Sequence, residues 1–279
     1  MPNLRIISTN DADAAVLTSS AFLASLPVEN LQVEGRARVA RTVNATGDKV
    51  INGNWSVAKI ASAIVLYGCN FSSAATLRVQ LWDGENQTGS VVHDSGVNPA
   101  LDAIGWGEFG WGLSSWGATA FEDWASAFSV LWFPQVYSAR SFRITINDAS
   151  NAAGFIQIKR LLIGAYFEPF VNFEYGLSAT WVDNSVQTRT MGRSINTDKR
   201  AQFRSLSGNL SGLNASERAA FFEITRVVGL STELFVSGYP EAGGAMERDH
   251  ALLCKFDQIP PVIATSYNRY SGQFSFVEV

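Results

Sequence analysis

The stretch LRVQLW at residues 77–82 places apolar side chains at every second position, with Arg78 and Gln80 between them. A second stretch, FRITIN at residues 142–147, repeats this alternation. A period of two is typical of a β-strand with one buried and one solvated face. The sequence therefore predicts a half-buried antiparallel strand at each place.

Turn signals separate further short, strand-like segments over residues 1–167. They are rich in glycine, asparagine and aspartate, which favour turns, and they lie at residues 46–48, 52–54, 83–86 and 147–154. Many short strands separated by turns predict a β-sandwich of the jelly-roll type. Residues 98–128 interrupt the pattern, and we expect a long loop there, at one end of the sandwich.

The pattern changes near Pro169. The segment NASERAAFFEITRVVG at residues 214–229 predicts a helix, with Asn214 as N-cap, Glu217 completing a capping box and Gly229 at the C-terminal end. The predicted apolar stripe of this helix consists of Ala220, Phe221, Ile224, Val227 and Val228. Strand-like segments follow at residues 233–238, 251–256 and 273–279.

These patterns predict a mainly β protein with two domains. The first, residues 1–167, is a β-sandwich jelly roll, and the second, residues 168–279, is a smaller α+β domain with one helix.

The composition limits the choice of partners. Charged residues make up only 16% of the chain, against about a quarter in a typical globular protein, so we expect neighbouring subunits to cover part of the surface. A net charge of −4 argues against nucleic acid as a partner. The N-terminus lacks a signal-peptide pattern, and the apolar runs are too short to span a bilayer. We therefore expect a soluble protein made in the cytoplasm, without membrane insertion.

Residues that support catalysis or metal binding are few. Cys69 and Cys254 lie far apart in sequence, and we expect two buried free thiols rather than a disulfide or a zinc site. His93 is followed by Asp94 and Ser95, but neighbouring residues on a strand point to opposite faces, so this order does not predict a catalytic triad. The sequence predicts no enzymatic activity, no cofactor and no metal.

The segment GWGEFGWGLSSWG at residues 105–117 concentrates aromatic side chains on a glycine-rich backbone. Trp106, Trp111 and Trp116 recur at five-residue spacing, each followed by glycine. Three interpretations compete. The indoles could stack on sugar rings, they could anchor a protein interface, where tryptophan is enriched, or they could close the end of the sandwich. We expect them to pack at a contact between subunits or with a neighbouring protein.

Most of residues 30–167 resemble the galactose-binding, discoidin-like jelly roll. The resemblance rests on INGNWS (51–56), IVLYGCNFSSAATLRVQLW (64–82) and SARSFRITINDASNAAGFIQIKRLLIGAYFE (138–168), in that order. It implies a β-sandwich, and it says little about sugar binding because the ligand loops of that family vary.

About 100 residues of the C-terminal region resemble distal tail or baseplate proteins of long-tailed bacteriophages and gene transfer agents. The segment WVDNSVQTRTMGRSINTDKRAQFRSLSGNLSGLNASERAAFFEI (181–224) contains a Trp, the step Gly192-Arg193, strands with alternating Arg and a capped helix. This resemblance implies a ring-forming domain of the tail-tube type. Many distal tail proteins place that domain first, whereas here it follows the sandwich, which leaves open whether this is the ring protein or a neighbouring minor tail protein.

The resemblance implies a structural component of the phage tail tip that joins the tail tube to the host-recognition apparatus. The expected partners are further copies of the chain in a ring, expected to be sixfold, and the tube, hub and fibre proteins of the virion. The alternative is a receptor-binding or carbohydrate-binding tail module that recognises a glycan of the host surface.

The charge distribution suggests how a ring could close. Residues 184–228 carry seven basic and three acidic side chains, and residues 229–279 carry three basic and six acidic ones. A ring needs two different patches that meet head to tail, and opposite charge steers such encounters. On this hypothesis Arg193 and Arg200 face Glu241 or Glu247 of the adjacent copy. The alternative is a set of scattered surface charges.

Overall fold

The computed structural model describes residues 2–35, 37–104, 111, 117–121, 124 and 127–279. Over these residues the protein is mainly β, as predicted, and it has two α-helices, α1 (Ala215–Val228) and α2 (Gly244–His250). Short 3-10 helices lie at Asp11–Ala14, Val28–Gln32 and Glu85–Gln87. The strands are β1 (Arg5–Ile7), β2 (Val16–Thr18), β3 (Ala40–Arg41), β4 (Lys49–Cys69), β5 (Thr76–Trp82), β6 (Val91–Asp94), β7 (Asn98–Pro99), β8 (Ala127–Asn147), β9 (Gln157–Ile158), β10 (Arg160–Gly164), β11 (Tyr166–Phe167), β12 (Ser178–Val182), β13 (Val186–Arg189), β14 (Ile195–Asp198), β15 (Phe203–Leu213), β16 (Leu234–Ser237), β17 (Ala251–Phe256), β18 (Val262–Ser266) and β19 (Arg269–Glu278).

Seven strands form the first sheet, in the order β10-β4-β8-β5-β6, with β2 beside β4 and β7 beside β5. The two alternating stretches of the sequence are direct neighbours in this sheet. Leu77 lies opposite Ile146, and Leu81 lies opposite Phe142. The apolar faces of β5 and β8 therefore form one buried surface, which confirms both strand predictions.

The predicted turn at residues 52–54 is wrong, because these residues lie inside β4. Gly53 is opposite Phe142 of β8, and a Cβ atom at position 53 would lie 2.1 Å from the phenyl ring. Close packing of a neighbouring side chain, rather than a turn, therefore requires glycine at this position.

The second sheet has eight strands, in the order β11-β1-β16-β17-β19-β15-β12, with β18 beside β19. β1 is an inner strand of this sheet, and its Ile6 lies opposite Phe167 on one side and Val236 on the other. The boundary between residues 167 and 168 stays a prediction. The structure adds that β1 pairs with β11 before that boundary and with β16 beyond it.

Helix α1 begins and ends where the sequence predicts. Asn214 Oδ1 accepts from the Glu217 amide at 2.9 Å, and Glu217 Oε2 accepts from the Asn214 amide at 2.8 Å, so the capping box is present. Gly229 ends the helix with a φ of 55°, a conformation that glycine adopts without strain.

The buried face of α1 differs from the predicted stripe. Ala220 and Val227 are exposed. The face of α1 that meets the sheet starts at Phe221 and continues at the positions three, four and seven residues later. Its buried members are Phe221, Ile224, Thr225 and Val228. Helix α2 and strand β18 were not predicted.

The hydrophobic core crosses the predicted domain boundary. The core of the first sheet includes Phe235 and Leu253 of the second sheet, and the rings of Phe128 and Phe235 lie 5.7 Å apart. In β4 the last nine residues are all buried, whereas the first seven alternate. A strand buried on both faces lies between two layers, so the second half of β4 is covered by the second sheet.

Three buried arginines lie where the two predicted domains meet: Arg5, Arg160 and Arg204. Each side chain is less than a tenth exposed. Their carboxylate partners are Glu168 and Glu241 for Arg5, Asp13 and Glu233 for Arg160, and Glu278 for Arg204. Glu278 also accepts a hydrogen bond of 2.7 Å from the Tyr67 hydroxyl of β4, and Arg160 of β10 pairs with Glu233 beside β16, so these two carboxylates connect the two sheets.

Both cysteines are buried, as predicted, and both are free thiols. Burial raises the pKa of the Cys69 thiol to about 12. Among the described residues, no helix is long and apolar enough to cross a membrane.

Candidate functional site

The residues on either side of the Trp-Gly segment form a short two-stranded stem. Ala103 pairs with Thr119, and the Ile104 amide donates to the Ala118 carbonyl at 3.1 Å. Trp111 is 73% exposed, whereas Trp106 and Trp116 lie outside the described residues. The interface role of these three tryptophans stays a prediction.

An open cleft of about 470 Å³ lies beside this stem, and we call it the stem cleft. Its apolar wall includes Trp132, and its polar lining consists of His93, Asp94, Ser95, Asn98 and Asp102. A concave site of this size with a few polar groups is typical of small-molecule binding.

Hydrogen bonds within the chain engage two polar side chains of the stem cleft, Asp94 and Ser95. The Arg78 guanidinium holds the pKa of Asp94 well below its usual range, and burial lowers the pKa of His93. The Ser95 hydroxyl accepts from the Val79 amide at 2.9 Å and donates to the Gly96 carbonyl at 2.8 Å. His93 and Asp94 therefore end a strand, and Ser95 lies in the turn that follows, where its hydroxyl group is hydrogen-bonded to the backbone.

A second cleft, of about 350 Å³, lies between the predicted domains, and we call it the tryptophan cleft. Trp124 approaches it from the first domain and Trp181 from β12, with ring centroids 5.6 Å apart and a tilt of 52°. The guanidinium groups of Arg204 and Arg248 lie 4.9 and 4.7 Å from the Trp124 ring. The remaining lining consists of Ala179, Thr180, Asp249 and His250.

The prediction that Glu247 faces an adjacent copy is wrong, because its side chain is buried inside its own chain. Its carboxylate accepts hydrogen bonds from Trp132 Nε1 at 3.1 Å and from the Gly243 amide at 3.3 Å. Burial raises the pKa of this carboxyl, and the negative charge of Asp102 acts in the same direction.

Most acidic side chains of residues 229–279 are engaged within their own chain. Five of the six have partners there: Glu233, Glu241, Glu247, Asp249 and Glu278. Glu241 contacts Arg5 at 2.6 Å, although its side chain stays 49% exposed. Glu233 and Glu247 are buried and the Glu278 side chain is only 10% exposed, so these three are unavailable to an adjacent copy, whereas a contact of Glu241 with an adjacent copy stays a prediction.

The basic residues of the ring hypothesis remain available for a contact, because Arg193 and Arg200 lie on an exposed hairpin. Strands β13 and β14 pair only with each other among the described strands, and every residue from 186 to 202 is exposed. We call residues 186–202 the arm. It carries four basic residues and one acidic residue, and its exposed apolar side chains are Val186, Met191 and Ile195.

The residues of the tryptophan cleft were missed as a site. Trp124 and Arg248 lie far apart in the sequence and belong to segments without a shared period. Trp181 was noted only as the start of a motif. The sequence offers one signal for this site, a large aromatic residue, Trp181, in a strand-like segment. In the structure Trp181 lies opposite Arg204 on β15.

Comparison with known proteins gives no family assignment. No protein-family model matches the chain, and no curated protein matches it.

Several solved structures are similar to part of the chain. A chitosan-binding module of a chitosanase/glucanase from Paenibacillus sp. IK-5 is 9% identical, covers 56% of this chain and 99% of its own, and has a TM-score of 0.39. The family 32 carbohydrate-binding module of C. perfringens NanJ, in complex with galactose, is 13% identical, with 59% and 99% coverage and a TM-score of 0.37. The lectin domain of lectinolysin, complexed with Lewis B antigen, is 11% identical, with 56% and 95% coverage and a TM-score of 0.37. With identities and TM-scores this low, the similarities carry no argument about function.

Proposed function

We propose that the chain is a structural component of a phage tail tip and assembles with copies of itself through the arm. The observation that supports this is the arm itself. A two-stranded hairpin that packs against nothing else is marginally stable in water, and the arm buries none of its residues within the chain. A partner surface supplies the missing burial. The tail-tip setting comes from the resemblance of residues 181–224 to distal tail proteins.

Charge favours a second copy as the partner of the arm. The arm has a net charge of +3, while the whole chain has −4, so the remaining residues carry −7. Opposite charge steers association and fixes its register. One copy therefore offers both a basic arm and an acidic body, and their contact is head to tail, which is the geometry that closes a ring. The tube, hub and fibre proteins of the tail are the further partners of this proposal.

The test compares the full chain with a variant whose arm is shortened. Residues 187–197 are replaced by Asn-Gly, which joins the paired residues Val186 and Asp198 by a two-residue hairpin turn. Light scattering and negative-stain imaging report mass and rings. We expect rings from the full chain and monomers from the variant, with unchanged circular dichroism. Equal masses for both chains at the highest attainable concentration contradict the proposal.

The stem cleft supports a second candidate function, recognition of a host-surface glycan. Its carboxylate, amide and imidazole groups beside Trp132 provide donors and acceptors for hydroxyl groups next to an apolar wall. We expect a glycan array probed with the full chain to give signals that Asp102→Asn removes. The exposed Asp48→Asn is the matched control. An array without signals excludes this candidate and leaves the assembly proposal untouched.

A further inference from the structure

We propose that the tryptophan cleft is a binding site for a saccharide that bears a carboxylate group. The cleft shares no lining residue with the arm or with the stem cleft, so this inference does not depend on the proposed function.

The positions of the two indoles exclude a ligand whose flat ring would lie between them. With centroids only 5.6 Å apart and planes tilted by 52°, they leave no room for a flat ring between them, so a ligand contacts the outer face of Trp181. That side chain is 58% exposed. An indole face is electron-rich, and it matches the slightly positive C–H face of a pyranose ring.

The polar groups of the cleft match the hydroxyl groups of a sugar. His250 Nδ1 lies 2.9 Å from the Met246 carbonyl, and because a carbonyl only accepts, Nδ1 carries the hydrogen. In the neutral imidazole, Nε2 is then an acceptor for a sugar hydroxyl. Thr180 lines the same cleft beside Trp181 and can both donate and accept.

The two arginines differ in the donors they have available. Arg204 uses Nε and Nη2 on Glu278 and Nη1 on the Arg248 carbonyl, so all three nitrogen atoms of its guanidinium are engaged within the chain. Arg248 uses Nε on Asp249 and Nη1 on the Ala120 carbonyl. Its Nη2 group has no assigned acceptor among the described residues. Arginine pairs strongly with carboxylates, and this donor therefore selects an acidic sugar over a neutral one.

The test uses two monosaccharides that differ only at C6, galacturonic acid and galactose. Titration calorimetry of the full chain, supported by saturation-transfer NMR, measures their affinities. Only the acid can form a charge-assisted hydrogen bond with Arg248, so we expect galacturonic acid to bind at least about tenfold more tightly, which is about 1.4 kcal/mol. Trp181→Ala should weaken both sugars, and Arg248→Gln should remove the preference for the acid.

Two controls separate the outcomes. Tyr267→Ala removes another exposed aromatic side chain, outside the cleft, and should bind like the parent chain. The chain with the shortened arm should also bind, whatever its oligomeric state. Equal affinity for the two sugars, binding that survives Trp181→Ala, or no binding of galacturonic acid at millimolar concentration each overturns the proposal.

Discussion

Arginine has opposite roles at the junction of the two sheets and in the arm. At the junction, the Arg204 side chain is 7% exposed and its partner Glu278 is 10% exposed. In the arm, Arg200 and its partner Asp198 are 58% and 70% exposed, at a distance of 3.4 Å. The sequence assigns both arginines to the same basic segment. The comparison teaches that a count of charges along a segment does not separate charges that hold a fold together from charges that meet a partner.

The largest effect is expected from removing β1. Deletion of residues 2–8 takes an inner strand from the second sheet, together with Leu4 and Ile6 of its core. We expect loss of cooperative unfolding of the second sheet, measured by urea titration with circular dichroism and tryptophan fluorescence. A truncated chain that unfolds like the parent would show that the second domain is complete without β1.

A single substitution at the junction should have the next largest effect. Arg204→Ala leaves Glu278 buried without its cation, and breaking a buried pair costs about 3–5 kcal/mol of unfolding free energy. The matched control is Arg200→Ala, whose exposed pair contributes about 0–1 kcal/mol. Chemical denaturation measures both, and equal effects of the two substitutions would refute the contrast between junction and arm.

The pH dependence of stability should distinguish the buried Glu247 from an exposed glutamate. Burial raises the pKa of this carboxyl in the folded state, so above about pH 4.5 the unfolded state binds fewer protons than the folded state. Stability then falls as pH rises through the folded pKa. Relative to the parent, Glu247→Gln should gain unfolding free energy between pH 4.5 and pH 7. The exposed Glu29→Gln should not, and a parallel change in both variants would contradict the assignment.

The smallest effect on stability is expected in the arm. Arg193→Glu combined with Arg200→Glu changes exposed side chains only, so the unfolding free energy should shift by less than about 0.5 kcal/mol. Assembly, followed by light scattering, should be lost and should depend on salt in the parent chain. Reversal of Arg226, which is exposed on α1, serves as the control. A clear loss of stability in the arm variant would show that the arm packs within its own chain.

The sequence predicted those elements whose signals are local. The alternation of β5 and of the end of β8, and the capping box of α1, depend on neighbours within a few residues, and these predictions are confirmed. The turn at Gly53 was wrong because the reason for that glycine, the ring of Phe142, lies 89 positions away. The burial of Glu247 and the meeting of Trp124 with Trp181 are likewise products of long-range packing, which no local period encodes.

The position of β1 also has a consequence for the order of folding. Arg5 is opposite Ser237, so β1 has to wait for a strand that is synthesised 232 residues later. At synthesis rates of about 5–20 residues per second, this delay is roughly 10–50 s. During that time Leu4 and Ile6 stay uncovered by their final neighbours. The second sheet is therefore incomplete until β16 has been synthesised, and in a nascent chain stalled before residue 234 only β11 is available to pair with β1.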